Sequence, residues 1–216
     1  MSFQFRDRVE AGRMLAGQLE SYSGRPDVLV LGLPRGGVVV AYEVAQKLEV
    51  MLDVFLVRKL GVPRHEELAL GAVASGGVCF LNEALVESCH VPKPVLREII
   101  EREEKELTRR ERLYRSHPLA DLRGRTLLLV DDGLATGATM RAAVIAARQQ
   151  APARIIAAVP VAAQDTLEKV RREVDEAVCV YAPEEFCAVG EWYEDFGQTT
   201  DEEVRELLAR RNAVSQ

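Results

Sequence analysis

Residues 127–140 read Leu127-Leu128-Leu129-Val130-Asp131-Asp132-Gly133-Leu134-Ala135-Thr136-Gly137-Ala138-Thr139-Met140. Four consecutive apolar residues predict a strand buried on both faces, the habit of a parallel sheet. Two carboxylates stand where that strand ends. A run of Gly, Ala and Thr follows and leads into a helical pattern over 138–150. Ligands of open α/β sheets bind just beyond the carboxyl ends of the strands. This one stretch therefore decides the fold and marks where its chemistry is expected.

The same grammar extends outward. Residues 27–33 form an apolar run that ends in Pro34-Arg35-Gly36-Gly37 and is followed by a helical pattern over 38–48. Residues 53–57 predict a second buried strand, and this strand–helix–strand order favours parallel pairing. Further strands are expected over 125–130, 154–161 and 177–181, with helices over 164–174 and 199–210. Thr199 or Thr200 would cap the last helix. A first helix over 6–20 would turn Val9, Met14, Leu15 and Leu19 toward the core. The fold class is α/β, an open parallel twisted sheet with helices on both faces.

Two excursions break that alternation. Residues 69–81 hold two short apolar runs around Ser75-Gly76-Gly77, which predict a β-hairpin. Residues 94–115 are strongly charged, with a thin stripe of Leu96, Ile99, Ile100, Leu107 and Leu113. They read as a helix with a solvated face, or else as an interface helix such as a homodimer would use. Residues 183–197 are irregular and aromatic. A single domain over 1–216 is expected, its core about 25–182 and its excursion about 60–118. Residues 183–197 and the terminal helices would form a small C-terminal hood.

The net charge of −6 argues against a nucleic-acid binder, whose affinity rests on neutralising phosphates. No apolar run reaches the roughly 20 residues of a membrane span, and the charged first residues do not look like a signal peptide. A cytoplasmic protein is expected. Cys79, Cys89, Cys179 and Cys187 form no C-x-x-C pair and read as buried, reduced thiols.

The loop at 131–139 carries the chemistry. A helix N-terminus presents free N–H groups and a partial positive charge to an anion. Small residues at 135–138 let the backbone close around it, and the Thr136 and Thr139 hydroxyls add donors. Acids beside a phosphate would repel it, so Asp131 and Asp132 ask for something else. Sugar hydroxyls donate to carboxylates, and a positive charge developing on a sugar ring is stabilised by them. The string thus suits a ribose 5-phosphate. A Walker loop would need a Lys that is missing, and Gly133-x-x-x-Gly137 is not the dinucleotide fingerprint. A phosphoacceptor aspartate pocket would be expected at the first strand.

The string from Val130 to Thr139 resembles the phosphoribosyl-diphosphate (PRPP) signature of the type I phosphoribosyltransferases. The resemblance covers about residues 25–195 and implies that Ala135, Thr136, Gly137, Ala138 and Thr139 bind the 5-phosphate. It implies that Asp131 and Asp132 face the ribose 2- and 3-hydroxyls. Leu33-Pro34-Arg35-Gly36-Gly37 resembles the family's first diphosphate loop. Residues 57–63, with Arg58 and Lys59, resemble the segment that enters its mobile catalytic loop, so Arg35, Gly36, Gly37, Arg58 and Lys59 would hold the diphosphate. Asp131, Asp132 and Lys59 would form the catalytic group. A lid from about Leu60 to Leu70, with Arg64, His65, Glu66 and Glu67, would close over the site about a hinge at Gly61 and Pro63. The tail more loosely resembles the hood of the 6-oxopurine members, which would place Phe186, Val189, Trp192 and Tyr193 at the base.

The implied activity is that of a glycosyltransferase: PRPP and a nitrogen nucleophile, a purine or related base, react with release of diphosphate. Mg²⁺ would be carried by PRPP and water, with no direct protein ligand. Two alternatives stand beside it: a regulator that senses PRPP or a nucleotide on the same fold, and a generic phosphosugar protein indifferent to the diphosphate.

Overall fold

The computed structural model describes residues 3–62, 65–115 and 117–213. In chain order the elements are α1 (Arg8–Gln18), β1 (Val28–Gly32), α2 (Gly36–Leu48), β2 (Met51–Val54), β3 (Val57–Val62), β4 (His65–Ala74), β5 (Val78–Leu81), α3 (Glu83–Ser88), α4 (Lys93–Tyr114), β6 (Thr126–Val130), α5 (Ala138–Arg148), β7 (Arg154–Val161), α6 (Gln164–Arg171), β8 (Glu176–Tyr181) and α7 (Asp201–Ala213). Single 3₁₀ turns lie at Glu20–Tyr22 and Val189–Trp192.

Five strands pair in parallel in the order β2-β1-β6-β7-β8. Strand alternation divides the core into two layers. Val28, Val30, Leu128, Val130, Ile156 and Ala158 face α1, α2 and α7. Leu29, Leu31, Leu127, Leu129, Ile155 and Ala157 face α5 and α6. All are at most 2% exposed, so each such Leu, Ile or Val contributes about 1.5–3 kcal/mol of burial. The expected sheet with helices on both faces is the one found. The chain leaves β1 for β2 on one side and returns to β6 on the other, so a switch point opens between β1 and β6. Gly32 lies directly opposite Val130, so the loops after both strands start level.

The second strand differs from expectation. It spans Met51–Val54, and residues 57–62 leave the core to form β3 of a separate antiparallel sheet, β3-β4-β5. At the break, Phe55 still donates to the Gly32 carbonyl, while Leu56 and Ser75 bond each other. The predicted hairpin is present as β4 and β5, turning through Gly76 and Gly77, both at positive φ. One face of this small sheet (Leu60, Leu70, Val73) packs under α4 through Ile99, Leu107 and Tyr114. The other face (Val57, Val78, Phe80) packs toward α5. So α4 is not a freely solvated helix; its thin stripe covers the excursion.

Two further expectations are corrected. Met14 is exposed, because α1 buries Ala11, Gly12, Leu15 and Ala16 instead. No cysteine is fully buried: Cys79 lies on the edge strand β5, Cys187 in the tail, and Cys89 and Cys179 are half-buried. Thr200, not Thr199, caps α7. Glu203 N–H donates to its hydroxyl and its own N–H donates to the Glu203 carboxylate, a capping box. No helix among the described residues is long and apolar enough to cross a membrane.

Candidate functional site

The turn after β1 and the loop after β6 meet at the switch point. Arg35 caps α2, and the Pro34–Arg35 peptide is cis. Gly36 and Gly37 lie against the acid pair. A Cβ at Gly37 would stand 2.8 Å from the Asp131 Cα, and one at Gly36 would stand 1.9 Å from Asp132 Oδ2. Both glycines are therefore required by close approach, which adds a second reason to the one the sequence offered. The Arg35 guanidinium stands 3.8 Å from Asp201 at the start of α7.

The two acids are not equivalent. Burial first, and then the neighbouring Asp132 carboxylate, push Asp131 well above the ordinary range. Asp131 Oδ1 accepts from the Asp132 N–H at 2.9 Å. Asp132 instead pairs with Arg8, Nε to Oδ2 at 2.8 Å, with both side chains largely enclosed. Sequence reading missed Arg8 because it lies 124 residues away.

The loop from Ala135 to Thr139 is open on its inner side. Among the described residues, the amides of Thr136, Gly137 and Thr139 donate to no protein acceptor, and that of Ala138 reaches only the Thr136 hydroxyl at 3.4 Å. Gly137 is the N-cap of α5 at φ 70°, and a Cβ there would stand 2.6 Å from Thr166 Cγ2. Thr166 Oγ1 donates to the Ala135 carbonyl at 2.7 Å. This α6 residue, also missed in the sequence, holds the loop open from behind. Bare amides at a helix start make an anion cradle.

Arg58 and Lys59 do not act as a pair here. They are neighbours in β3 and so point to opposite faces. Arg58 is held by Glu103 of α4, Nε to Oε2 at 2.8 Å. Burial would raise the Glu103 carboxyl, but its bonds to Arg58 and Arg102 outweigh that and hold it low. Lys59 faces the other way, into a cavity of about 580 Å³ bordered by Thr139, Arg141, Phe80 and Ile145. The expected lid is described only in part: Pro63 and Arg64, and the side chains of His65, Glu66 and Glu67, lie outside the described residues.

The hood is built from both ends of the chain. Phe5 donates to the Trp192 carbonyl, and Glu194 donates back to Phe5. Tyr193 is buried and its hydroxyl donates to the Asp132 carbonyl at 2.6 Å. Val189 covers Gly133. Trp192 packs between Tyr181 and Phe186. Tyr193 is thus a support under the acid loop, while Phe186, Val189 and Trp192 remain half-buried at the rim.

An open parallel sheet with an anion cradle and paired acids at its switch point is the layout of an α/β protein that takes a phosphorylated ligand there. The family model of the phosphoribosyl transferase domain matches residues 6–194, and the chain belongs to that family. Two proteins of Mycobacterium tuberculosis, each named "putative phosphoribosyl transferase", are 45% identical over 207 residues. The match covers 95% of this chain and 46% of theirs, so the chain spans about half the length of these relatives. The crystal structure of TT1426 from Thermus thermophilus is 44% identical with a TM-score of 0.86, covering 96% of this chain and 99% of that one. The AQ2163 protein from Aquifex aeolicus, at 12% identity and a TM-score of 0.51 over 85% of this chain and 78% of that one, shares the fold alone.

Proposed function

We propose that the chain transfers the 5-phosphoribosyl group of PRPP to a nitrogen nucleophile, a purine or related base. The observation that carries this reading is the set of bare amides at the start of α5 standing beside an acid pair. In the reaction, the C1–oxygen bond breaks and its electrons leave with diphosphate. The nitrogen lone pair forms the new bond to C1, and the nitrogen proton passes to solvent.

The amides of 136–139 would anchor the 5-phosphate and so fix the position of C1. Asp131 and Asp132 would meet the ribose hydroxyls, and Asp132 would face the charge that develops on the ring. Arg35 and the α2 start would meet the diphosphate, with Lys59 approaching from β3. The half-buried hood residues Phe186, Val189 and Trp192 would border the base. Mg²⁺ fits as an ion that arrives on the substrate: Asp132 is committed to Arg8 through one oxygen and Asp131 resists ionisation, so the hard oxygen ligands would come chiefly from PRPP and water. Bound there, the ion would neutralise the leaving diphosphate.

A second reading, a PRPP-sensing regulator, gains from one observation. Arg58, which a transferase would use on the diphosphate, is engaged with Glu103. Incubation with PRPP, Mg²⁺ and a panel of bases, with diphosphate release as the readout, separates the two. Release with at least one base is expected, and it should vanish in the Asp131→Asn/Asp132→Asn double variant while circular dichroism is unchanged. Full activity in that variant refutes the assigned role; tight PRPP binding with no release favours the sensor.

A further inference from the structure

Arg8 stands where local physics disfavours it. It is the first residue of α1, and a cation in the first turn faces the positive end of the helix dipole. Its side chain is nevertheless only 12% exposed. Nε donates to Asp132 Oδ2 and Nη1 donates to the Gly197 carbonyl, both at 2.8 Å. The guanidinium carbon lies 3.9 Å from the centre of the Phe196 ring, a cation–π contact. On the remaining side is the start of α2, where a Cβ at Gly36 would meet Arg8 Nε at 2.7 Å. Helix α1, the acid loop, the turn after β1 and the hood all converge on this one side chain.

The contact divides the Asp132 carboxylate. Oδ2 is taken by Arg8, while Oδ1 accepts no hydrogen bond among the described residues. A planar guanidinium, fixed by a carbonyl and an aromatic face, holds its partner in one orientation. We infer that Arg8 is a positioning residue for the sugar end of the site: it anchors Asp132 by one oxygen and presents the other to a ribose hydroxyl. It touches neither C1 nor the phosphate and acts only through that carboxylate. The inference rests on the transfer reading for the choice of PRPP as ligand.

A double-mutant cycle tests it. PRPP with Mg²⁺ is titrated by calorimetry into the unaltered chain and into Arg8→Gln, Asp132→Asn and the double variant. Arg8→Gln is expected to weaken PRPP on the order of tenfold to a hundredfold, the range for removing a partner that orients a ligating group. The double variant should bind no worse than Asp132→Asn, because the positioning role reaches the ligand through that carboxylate alone. Arg8→Lys, which keeps the charge but not the fork, should fall between. Losses that add, or an Arg8→Gln variant with full affinity, overturn the inference. If Arg8→Gln fails to fold, Phe196→Leu replaces it in the cycle: a several-fold loss is expected alone and none beside Asp132→Asn, and additive losses again overturn it. If the unaltered chain takes up no PRPP, the transfer reading falls by itself. The same cycle is then run with ribose 5-phosphate, where an unaffected Arg8→Gln variant or no binding at all sinks the positioning role too.

Discussion

The loop after β6 and the hood are the two ends of one site, and they are made in opposite ways. The loop is nine consecutive residues, 131–139: an acid pair and, after it, backbone amides left bare at a helix start. One distant side chain, Thr166, supports its amide end from behind, while Tyr193 and Arg8 of the hood end hold Asp132. The hood end needs segments that lie at opposite ends of the chain: Gln4 bonds the Glu191 carbonyl 187 residues away, and Arg8 bonds the Gly197 carbonyl 189 residues away. An anion site built from amides demands small residues in a fixed order, so it leaves a contiguous string. A site built from side chains demands only that they meet in space.

The comparison is broken hardest at Gly36, which touches both ends. Ala there would place its methyl against Asp132 Oδ2 and Arg8 Nε, so the ion pair must separate. Breaking a mostly buried pair costs about 3–5 kcal/mol, which for a chain of this size lowers the melting temperature by about 10 °C. An unchanged melting temperature would mean that the hood end moves aside freely, and that the two ends are not coupled.

Gly137→Ala strikes the loop alone and should cost less. A left-handed residue with a Cβ pays about 1–2 kcal/mol, and the contact at 2.6 Å from Thr166 Cγ2 adds about 1 kcal/mol. Thr166→Ser deletes that methyl and keeps the hydroxyl bonded to the Ala135 carbonyl. The pair Gly137→Ala/Thr166→Ser should therefore recover the steric part of the loss and none of the backbone part. Thermal melts of the three variants check this, and complete recovery would show that the positive φ carries no cost.

What could be read from the sequence follows the same division. The run 127–140 announced its strand, its helix start and its cradle, because each depends on residues within one turn of each other. The parallel core was legible from the continuous apolar runs at 27–33 and 154–161. The register of the second strand was not: residues 54–57 are apolar without a break, and nothing local shows that the chain leaves the core after Phe55. Arg58 and Lys59 looked like a pair because they are adjacent, whereas strand alternation sends them to opposite faces. Arg8 did leave one trace, a cation directly after the helix-capping Asp7. A local rule broken at a helix start is the kind of conflict that marks a working residue.

The smallest effect has the opposite sign and sharpens the contrast between the two acids. Burial and the Asp132 charge raise Asp131 above the ordinary carboxyl range, so its folded-state pKa exceeds its unfolded value of about 3.9. Below that unfolded value both states hold the proton and the residue costs nothing. As pH rises from there, the unfolded chain releases its proton first, and stability falls until the folded-state pKa is passed. Above it the cost is fully present. Asn at 131 cannot ionise, and its amide oxygen can still accept from the Asp132 N–H. Asp131→Asn should therefore melt close to the unaltered protein at about pH 4 and above it at about pH 7. Asp132→Asn should melt lower at about pH 7, since it leaves the enclosed Arg8 without its countercharge. Melting curves of both variants at the two pH values decide the matter. An Asp131→Asn variant that loses stability at neutral pH would show that Asp131 is held ionised in the fold, and that the acids share one role where their different partners assign them two.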